Sequence, residues 1–381
     1  MSFITRYWIV LFFFANLCAN SALLRFAAYP VLIVTMLLGL LVIIGNISIV
    51  WRSNPFFKAS LCSGFVFAII VYQAVFGIYH IHPQTWTYFF SKTIACIALV
   101  ISVWRNLDFY KKNFLRIFII SVFILCFYGS IRYPGIGRAT WGFGNANSLG
   151  MMASLSFGIL LNYPILKNRA WIIFEVLFLC GVLASGSRSA MGIVVLAYII
   201  KYGLSLKMLT ILCVTGLVIA ICFPYMGLRS IGITRFVDSA VQLDIASGRE
   251  LEREATLLMI KESPVEGHGL YAGQSEAAKQ ISKLGSHCGF LDIIKMMGIP
   301  IGGILIVYMT YIIFKIFFRF RGSCRHEMRA YLFIACAVYC ASFFEGLIWG
   351  LNIVPNTLFF LSVTILQLST LQHETRRLRI S

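Results

Sequence analysis

Ser247-Gly248-Arg249-Glu250, Glu262-Ser263-Pro264-Val265-Glu266-Gly267-His268-Gly269 and Ser286-His287-Cys288-Gly289-Phe290 punctuate one polar stretch that runs from Phe223 to Gly289. The stretch is mixed in charge, whereas the blocks on either side are apolar over roughly 17–25 residues at a time, the length that crosses a bilayer. That contrast decides the fold class. The sequence reads as an all-α polytopic integral membrane protein, a bundle of about 12 transmembrane helices, with one large outer loop at 225–288 between spans 9 and 10.

Composition agrees. Of 381 residues, 60% are hydrophobic and 12% charged, about half the charged fraction of a soluble domain, and the mean hydropathy is +0.86. Residues 1–381 form a single membrane domain, with spans expected near 6–24, 28–50, 59–79, 86–104, 114–130, 148–163, 170–184, 189–202, 207–224, 289–314, 330–350 and 353–371. Spans six and eight are short for ~30 Å of hydrocarbon at 1.5 Å per residue. The net charge of +18 would point to nucleic acid in a soluble protein. Here 19 of the 32 basic residues fall on the side that holds the N-terminus, while the short loops opposite carry only Arg25, Arg132, Arg138 and Arg188. The positive-inside rule therefore places both termini in the cytoplasm and removes any need for a nucleic-acid partner. Retaining the first span, rather than cleaving it as a signal peptide, keeps this alternation intact.

The long loop is nearly neutral, with seven basic and eight acidic residues between Tyr225 and His287. Most of the eleven cysteines lie inside apolar spans, where they act as small hydrophobes, and no CxxC pair exists. His80 and His82, two apart on an outer turn, invite a metal reading completed by His268, Glu266 or His287. The plain alternative is an exposed turn stopped by Pro83, and no metal is expected. Lys92, in the outer half of span four, either reaches the headgroups or contacts a phosphate. Glu175 and Glu345 are ionisable groups at membrane depth, which face a bundle interior as a rule.

Two outer turns stand out. The loop Arg132–Ser148 holds four glycines and two arginines, Arg132 and Arg138. It is neither a dinucleotide fingerprint nor a Walker loop, and Asn147 or Ser148 can cap the next helix. The turn Ala184-Ser185-Gly186-Ser187-Arg188-Ser189-Ala190 offers free backbone N–H groups and a guanidinium, either to headgroups or to an anion. In the long loop, Ser247 and Glu250 have capping-box spacing before an amphipathic helix that Pro264 ends. Arg249 and Arg253 share a face at the start of that helix, where a cation is disfavoured. Either local glutamates offset them or an anion docks there. His287, at the start of the following helix, is either a cap or a general base.

These motifs together resemble the O-antigen polymerase and O-antigen ligase superfamily of bacterial envelope glycosyltransferases. The likeness rests on Ser185–Ala190, on Ser247-Gly248-Arg249 with Ser263–Gly269, and on His287 with Gly298, and it covers about Gly142 to Gly302. The resemblance implies transfer of a glycan from undecaprenyl diphosphate to a sugar hydroxyl at the periplasmic face of the bacterial inner membrane, with no cofactor. It implies that Arg188 and Arg249 hold the diphosphate while His287 orients or deprotonates the acceptor. Arg253, Arg132, Arg138, Lys92 and Asn147 are candidate substrate contacts, and Tyr133, Trp141 and Tyr271 candidate sugar-stacking surfaces. The acceptor is a lipid-linked repeat unit for a polymerase or the lipid A core for a ligase. A chain-length regulator and the membrane lipids are further partners. Cys288 and Ile301 depart from the ligase pattern, which favours polymerase over ligase. Twelve spans also suit a flippase, but a transporter of that size carries its large loop centrally and shows paired broken helices.

Overall fold

The computed structural model describes residues 2–48, 60–80, 82–132, 138–163, 171–206, 208–210, 249–271, 275–282, 287–323, 325–350 and 353–378. They form helices α1 (Ser2–Asn20), α2 (Arg25–Ile44), α3 (Leu61–Phe76), α4 (Pro83–Arg105), α5 (Leu107–Arg132), α6 (Ala146–Asn162), α7 (Trp171–Ser185), α8 (Arg188–Tyr202), α9 (Glu250–Glu262), α10 (Glu276–Ile281), α11 (Gly289–Phe320), α12 (His326–Ala341) and α13 (Val354–Leu378). Among the described residues the only β-pairing is an isolated bridge between Ser21 and Phe143. Six helices among the described residues, α1, α2, α4, α5, α11 and α13, are long and apolar enough to cross a bilayer. The chain is a multi-pass membrane protein. Expected span 207–224 lies, apart from 208–210, outside the described residues, and so do 225–248, 272–274 and 283–286 of the long loop.

The centre of the bundle is α6 against α7, α8 and α12. Nearly every α6 side chain is buried, including Ala153, Ser154, Ser156 and Leu160. The small ones, Ala153, Ser154 and Ser156, let neighbouring backbones approach closely. This explains how a helix of 17 residues, about 26 Å long at 1.5 Å each, serves here: it is enclosed by protein. By contrast α2 leaves Phe26, Tyr29, Ile33, Val34 and Leu37 exposed, a surface suited to acyl chains.

Two departures from the expected spans matter for function. The first concerns span eleven, expected to run unbroken over 330–350. Its helix ends at Ala341, and residues 342–350 form a chain of turns. Hydropathy hides this because Phe343-Phe344-Glu345-Gly346-Leu347-Ile348-Trp349 is apolar on either side of one glutamate. Non-helical backbone at such depth must find partners within the protein, and it does. Asn356 Nδ2 donates to the carbonyls of Leu347 (3.3 Å) and Ile348, and Tyr88 Oη donates to that of Trp349. Lys92 is only 2% exposed and does not snorkel. Its Nζ donates to Asn356 Oδ1 at 3.0 Å and to the Gly350 carbonyl at 3.4 Å. The rings of Phe65 and Phe360 lie about it, at 5.2 and 5.0 Å, distances at which a ring face attracts a cation.

The second departure is a kink inside α11. Gly298 has φ +73, outside helical space, and Pro300 follows. The break frees backbone groups that bind the Ser263–Gly269 segment. Ile299 N donates to the Pro264 carbonyl (2.8 Å), His268 N to that of Lys295 (2.9 Å) and Gly269 N to that of Met296 (3.1 Å). Tyr72 Oη donates to the Glu266 carbonyl at 2.8 Å. The Ser263–Gly269 segment is thereby stitched to α11, and α9 is carried with it.

A Cβ at Gly298 would lie 2.0 Å from the Val265 carbonyl oxygen, and its φ is one that L-residues rarely adopt. Gly298→Ala is expected to destabilise the detergent-solubilised protein by about 1–3 kcal/mol or more. Gly303→Ala, five residues after the kink glycine and with nothing near its Cβ, should leave the melting temperature unchanged or slightly raised. Equal melting of the two variants would contradict the stitched-kink account.

Candidate active site

The turns that replace the end of span eleven present Glu345. The residue is 9% exposed, and side chains from four other parts of the chain converge on it. Arg249 Nη2 donates to Glu345 Oε1 at 3.1 Å, and Nη1 to the adjacent Phe344 carbonyl at 2.6 Å. Asn147 Nδ2 (3.4 Å) and Ser189 Oγ (3.5 Å) approach the same Oε1. His287 Nδ1 lies 3.7 Å from Glu345 Oε2.

Each of these is placed by its own local structure. Arg249 is the N-cap residue of α9, and its side chain makes no capping bond; instead it spans the gap to Glu345. Helix α9 begins at Glu250, and Ser247 of the expected capping box lies outside the described residues. At α6 the cap is Asn145, accepting from Ser148 N at 2.7 Å, rather than Asn147 or Ser148. Asn147 is thus left to bridge: its Oδ1 accepts from Arg138 Nη2 at 2.5 Å while its Nδ2 faces Glu345. Arg138 Nε donates in turn to the Ser185 carbonyl at 2.9 Å. The serine turn sits tightly on α6, where a Cβ at Gly150 would meet Ser185 Oγ at 2.5 Å and Ser187 Cβ at 2.8 Å. Arg188 opens α8 within that turn, half-buried between Ser187 and Ser189, whose hydroxyls are 3.0 Å apart.

His287 precedes α11, whose Gly289 N donates to the Ser342 carbonyl at 2.8 Å. That bond sets the imidazole beside Glu345. The ring stands between two carboxylates. Its Nε2 is 3.2 Å from Glu252 Oε2, the nearer approach, but that oxygen is buried without a hydrogen bond and acts through its charge. The interaction with Glu345 is the larger influence. It raises the imidazole pKa above its ordinary 6.5, against partial burial and the Arg249 charge and with help from Glu252.

The structure therefore brings Arg249, His287 and Asn147 together directly, with Arg138 and the Arg188 turn adjoining them. It does not bring in the others. Arg132 is exposed at the end of α5, Arg253 is exposed one turn along α9, and Lys92 is committed to the Gly350 segment. Trp141 is buried and cannot offer a ring face to a sugar, whereas Tyr271 is 51% exposed; Tyr133 lies outside the described residues. The three other histidines of the metal reading have structural contacts. His82 caps α4, His80 stacks on Tyr72, and His268 Nε2 is 2.7 Å from the Met259 carbonyl. Among the described residues no three His, Cys, Asp or Glu side chains are set to hold a metal ion. Around His287 the reason is visible, since its two nitrogens face different carboxylates on opposite sides of the ring.

Residues 173–307 match the O-antigen ligase family. The match spans about a third of the chain and is consistent with the O-antigen polymerase and ligase superfamily. It takes in Arg188, Arg249, Glu252, Arg253 and His287, but ends before Glu345. No curated protein matches the chain. The residue that sequence reasoning left without partners is thus the one on which the family region closes. Its single signal was a carboxylate in an otherwise apolar run.

The His287 contacts carry a pH signature. A pKa raised on folding means that this stabilisation is complete below about pH 6.5 and is lost as pH rises through the folded value. Melting of wild type and His287→Gln between pH 5.5 and 9 is expected to differ most at the acid end and to converge at the alkaline end. A difference that does not vary with pH would show that the imidazolium is not held by these carboxylates.

Proposed function

We propose that the protein is a membrane glycosyltransferase that polymerises undecaprenyl-diphosphate-linked oligosaccharide repeat units of a surface polysaccharide. The observation that carries this reading is the meeting of Arg249 and His287 on one carboxylate, beside the serine turn of Arg188 and the Asn147–Arg138 pair; Arg188, Arg249 and His287 lie within the stretch that matches the O-antigen ligase family. In this reading the bundle of about 12 spans lies in the bacterial inner membrane with both termini cytoplasmic. The site opens to the periplasm, and the long loop folds over it.

The chemistry asks for two things. As the acceptor oxygen bonds to the anomeric carbon, the bond from that carbon to the phosphate oxygen breaks, and its electron pair leaves on the diphosphate. Guanidinium groups stabilise that charge without a divalent ion, a task for Arg249 and Arg188, with Arg138 and Asn147 extending the seat. The acceptor hydroxyl gives its proton to His287, whose imidazolium Glu345 and Glu252 then stabilise. Arg132 and Arg253, exposed at the outer face, meet the anionic carrier as it arrives. Lys92 acts on substrate through the segment that bears Glu345. A chain-length regulator would act from outside this site.

A second reading, transfer of finished polymer to the lipid A core, is favoured by the description of the matching family as a ligase. Surface glycan from a deletion strain complemented with Arg249→Ala or His287→Ala separates these readings. For the polymerase, long chains should fall by about 100-fold or more while lipid-linked single units accumulate outside. Long polymer retained on its carrier would instead mark the ligase, and units trapped inside a flippase. Normal glycan from both variants would contradict an enzymatic role for this cluster.

A further inference from the structure

Glu345 Oε1 is surrounded by a guanidinium, a side-chain amide and a hydroxyl, from Arg249, Asn147 and Ser189. That donor set is the one an anionic phosphate oxygen requires. The carboxylate therefore sits where a ligand oxygen of the same charge and size would sit, held by the same hydrogen bonds. Arg249 turns the two-nitrogen edge of its fork to this segment, Nη2 to Glu345 at 3.1 Å and Nη1 to the Phe344 carbonyl at 2.6 Å, so that edge cannot hold both the carboxylate and a second anion. An anion that takes Arg249 must displace Glu345.

We propose that Glu345 is a built-in competitor for Arg249 that sets the site's preference for a diphosphate over the singly charged phosphodiesters of the surrounding lipids. The inference rests on the reading of Arg249 as a diphosphate ligand given above and adds the basis of its selectivity. A bacterial membrane presents a high concentration of lipids whose phosphodiester carries one negative charge, and an arginine at the lipid boundary would be saturated by them. Replacing one carboxylate by one phosphodiester changes no net charge and forfeits a preorganised hydrogen-bonded pair. Replacing it by a lipid-linked sugar diphosphate, with two charges, adds one full charge of attraction to Arg249 and the neighbouring Arg138 and Arg188. Specificity of this kind comes from an element that opposes the wrong ligand rather than from better contact with the right one. The charged groups facing Glu345 are Arg249 from the start of α9 and His287 from the approach to α11. Displaced from Arg249, the carboxylate still has His287 to turn to.

The test uses the full-length protein in nanodiscs of phosphatidylcholine or of phosphatidylcholine with increasing phosphatidylglycerol. The probe is an undecaprenyl-diphosphate-linked sugar, and its binding is measured for wild type, Glu345→Gln and Arg249→Ala. Wild-type affinity should be nearly independent of phosphatidylglycerol. Glu345→Gln should bind the probe more tightly in phosphatidylcholine and lose about 10–100-fold as phosphatidylglycerol rises, the range expected for one charged hydrogen-bonded pair. Donor binding by Glu345→Gln that ignores phosphatidylglycerol, while Arg249→Ala abolishes binding, would overturn the inference and leave the functional reading standing. Unchanged donor binding by Arg249→Ala would overturn both. If Glu345→Gln does not fold, Glu345→Asp keeps the charge but withdraws it from Arg249. It should then show the same sensitivity to phosphatidylglycerol, smaller in size, and wild-type behaviour of that variant would refute the proposal equally.

Discussion

A carboxylate in the turns that follow α12, held by an arginine at the start of α9, is the contact around which the site is built. The Glu345–Arg249 pair, with Arg249 Nη2 at 3.1 Å, joins two pieces of chain that have no other reason to be neighbours. Glu345 belongs to turns that close the bundle, and Arg249 to the long polar loop. Ion pairs that are partly buried are held in place by what surrounds them more than by their own attraction, because desolvation offsets much of the Coulomb gain. Here the surroundings are specific. Lys92, Asn356 and Tyr88 secure the carbonyls of 347–350 from below, and the hydrogen bond from Gly289 to Ser342 fixes the approach of His287 from the side.

The opposing half of the contact depends on the kink at Gly298. An unbroken α11 would keep its own carbonyls paired and leave Ser263–Gly269 with nothing to bind. With the break, Lys295 and Met296 accept from the loop and Ile299 donates to it. Helix α9 is therefore anchored at its C-terminal end, and its N-terminal end projects Arg249 and Glu252 over His287. A membrane helix with a defect and a loop with a glycine-rich hook together position one guanidinium. The glycines at 267 and 298 serve geometry rather than chemistry, each lying where a Cβ would strike backbone across the joint.

Much of this was legible in the residues because it was local or compositional. Hydropathy and charge alternation implied a helical membrane bundle, and the apolar stretches of α1, α2, α4, α5, α11 and α13 are helices of spanning length. The serine turn, Arg249, Asn147 and His287 stood out as polar groups beside lipid, and the structure gathers them. Even the unfavourable placement of a cation at the start of α9 was informative. It called for an anion, and the structure supplies one from the chain itself. What sequence could not supply was the convergence. Asn147, Ser189, Arg249 and His287 come from separate elements, and no periodicity connects them to Glu345. The end of α12 at Ala341 was equally hidden, since the apolar run continues past it while the polar partners of its turns are Lys92, far away in the chain, and Asn356, in the helix that follows.

The most direct measurement is a cryo-electron microscopy structure of the full chain in nanodiscs with an undecaprenyl-diphosphate-linked sugar bound. The account expects the diphosphate against Arg249, at the position Glu345 Oε1 holds here, with the Glu345 carboxylate turned toward His287 and the sugar's anomeric carbon within reach of an acceptor oxygen beside that imidazole. Density for the diphosphate elsewhere, with Arg249 still bonded to Glu345, would contradict it.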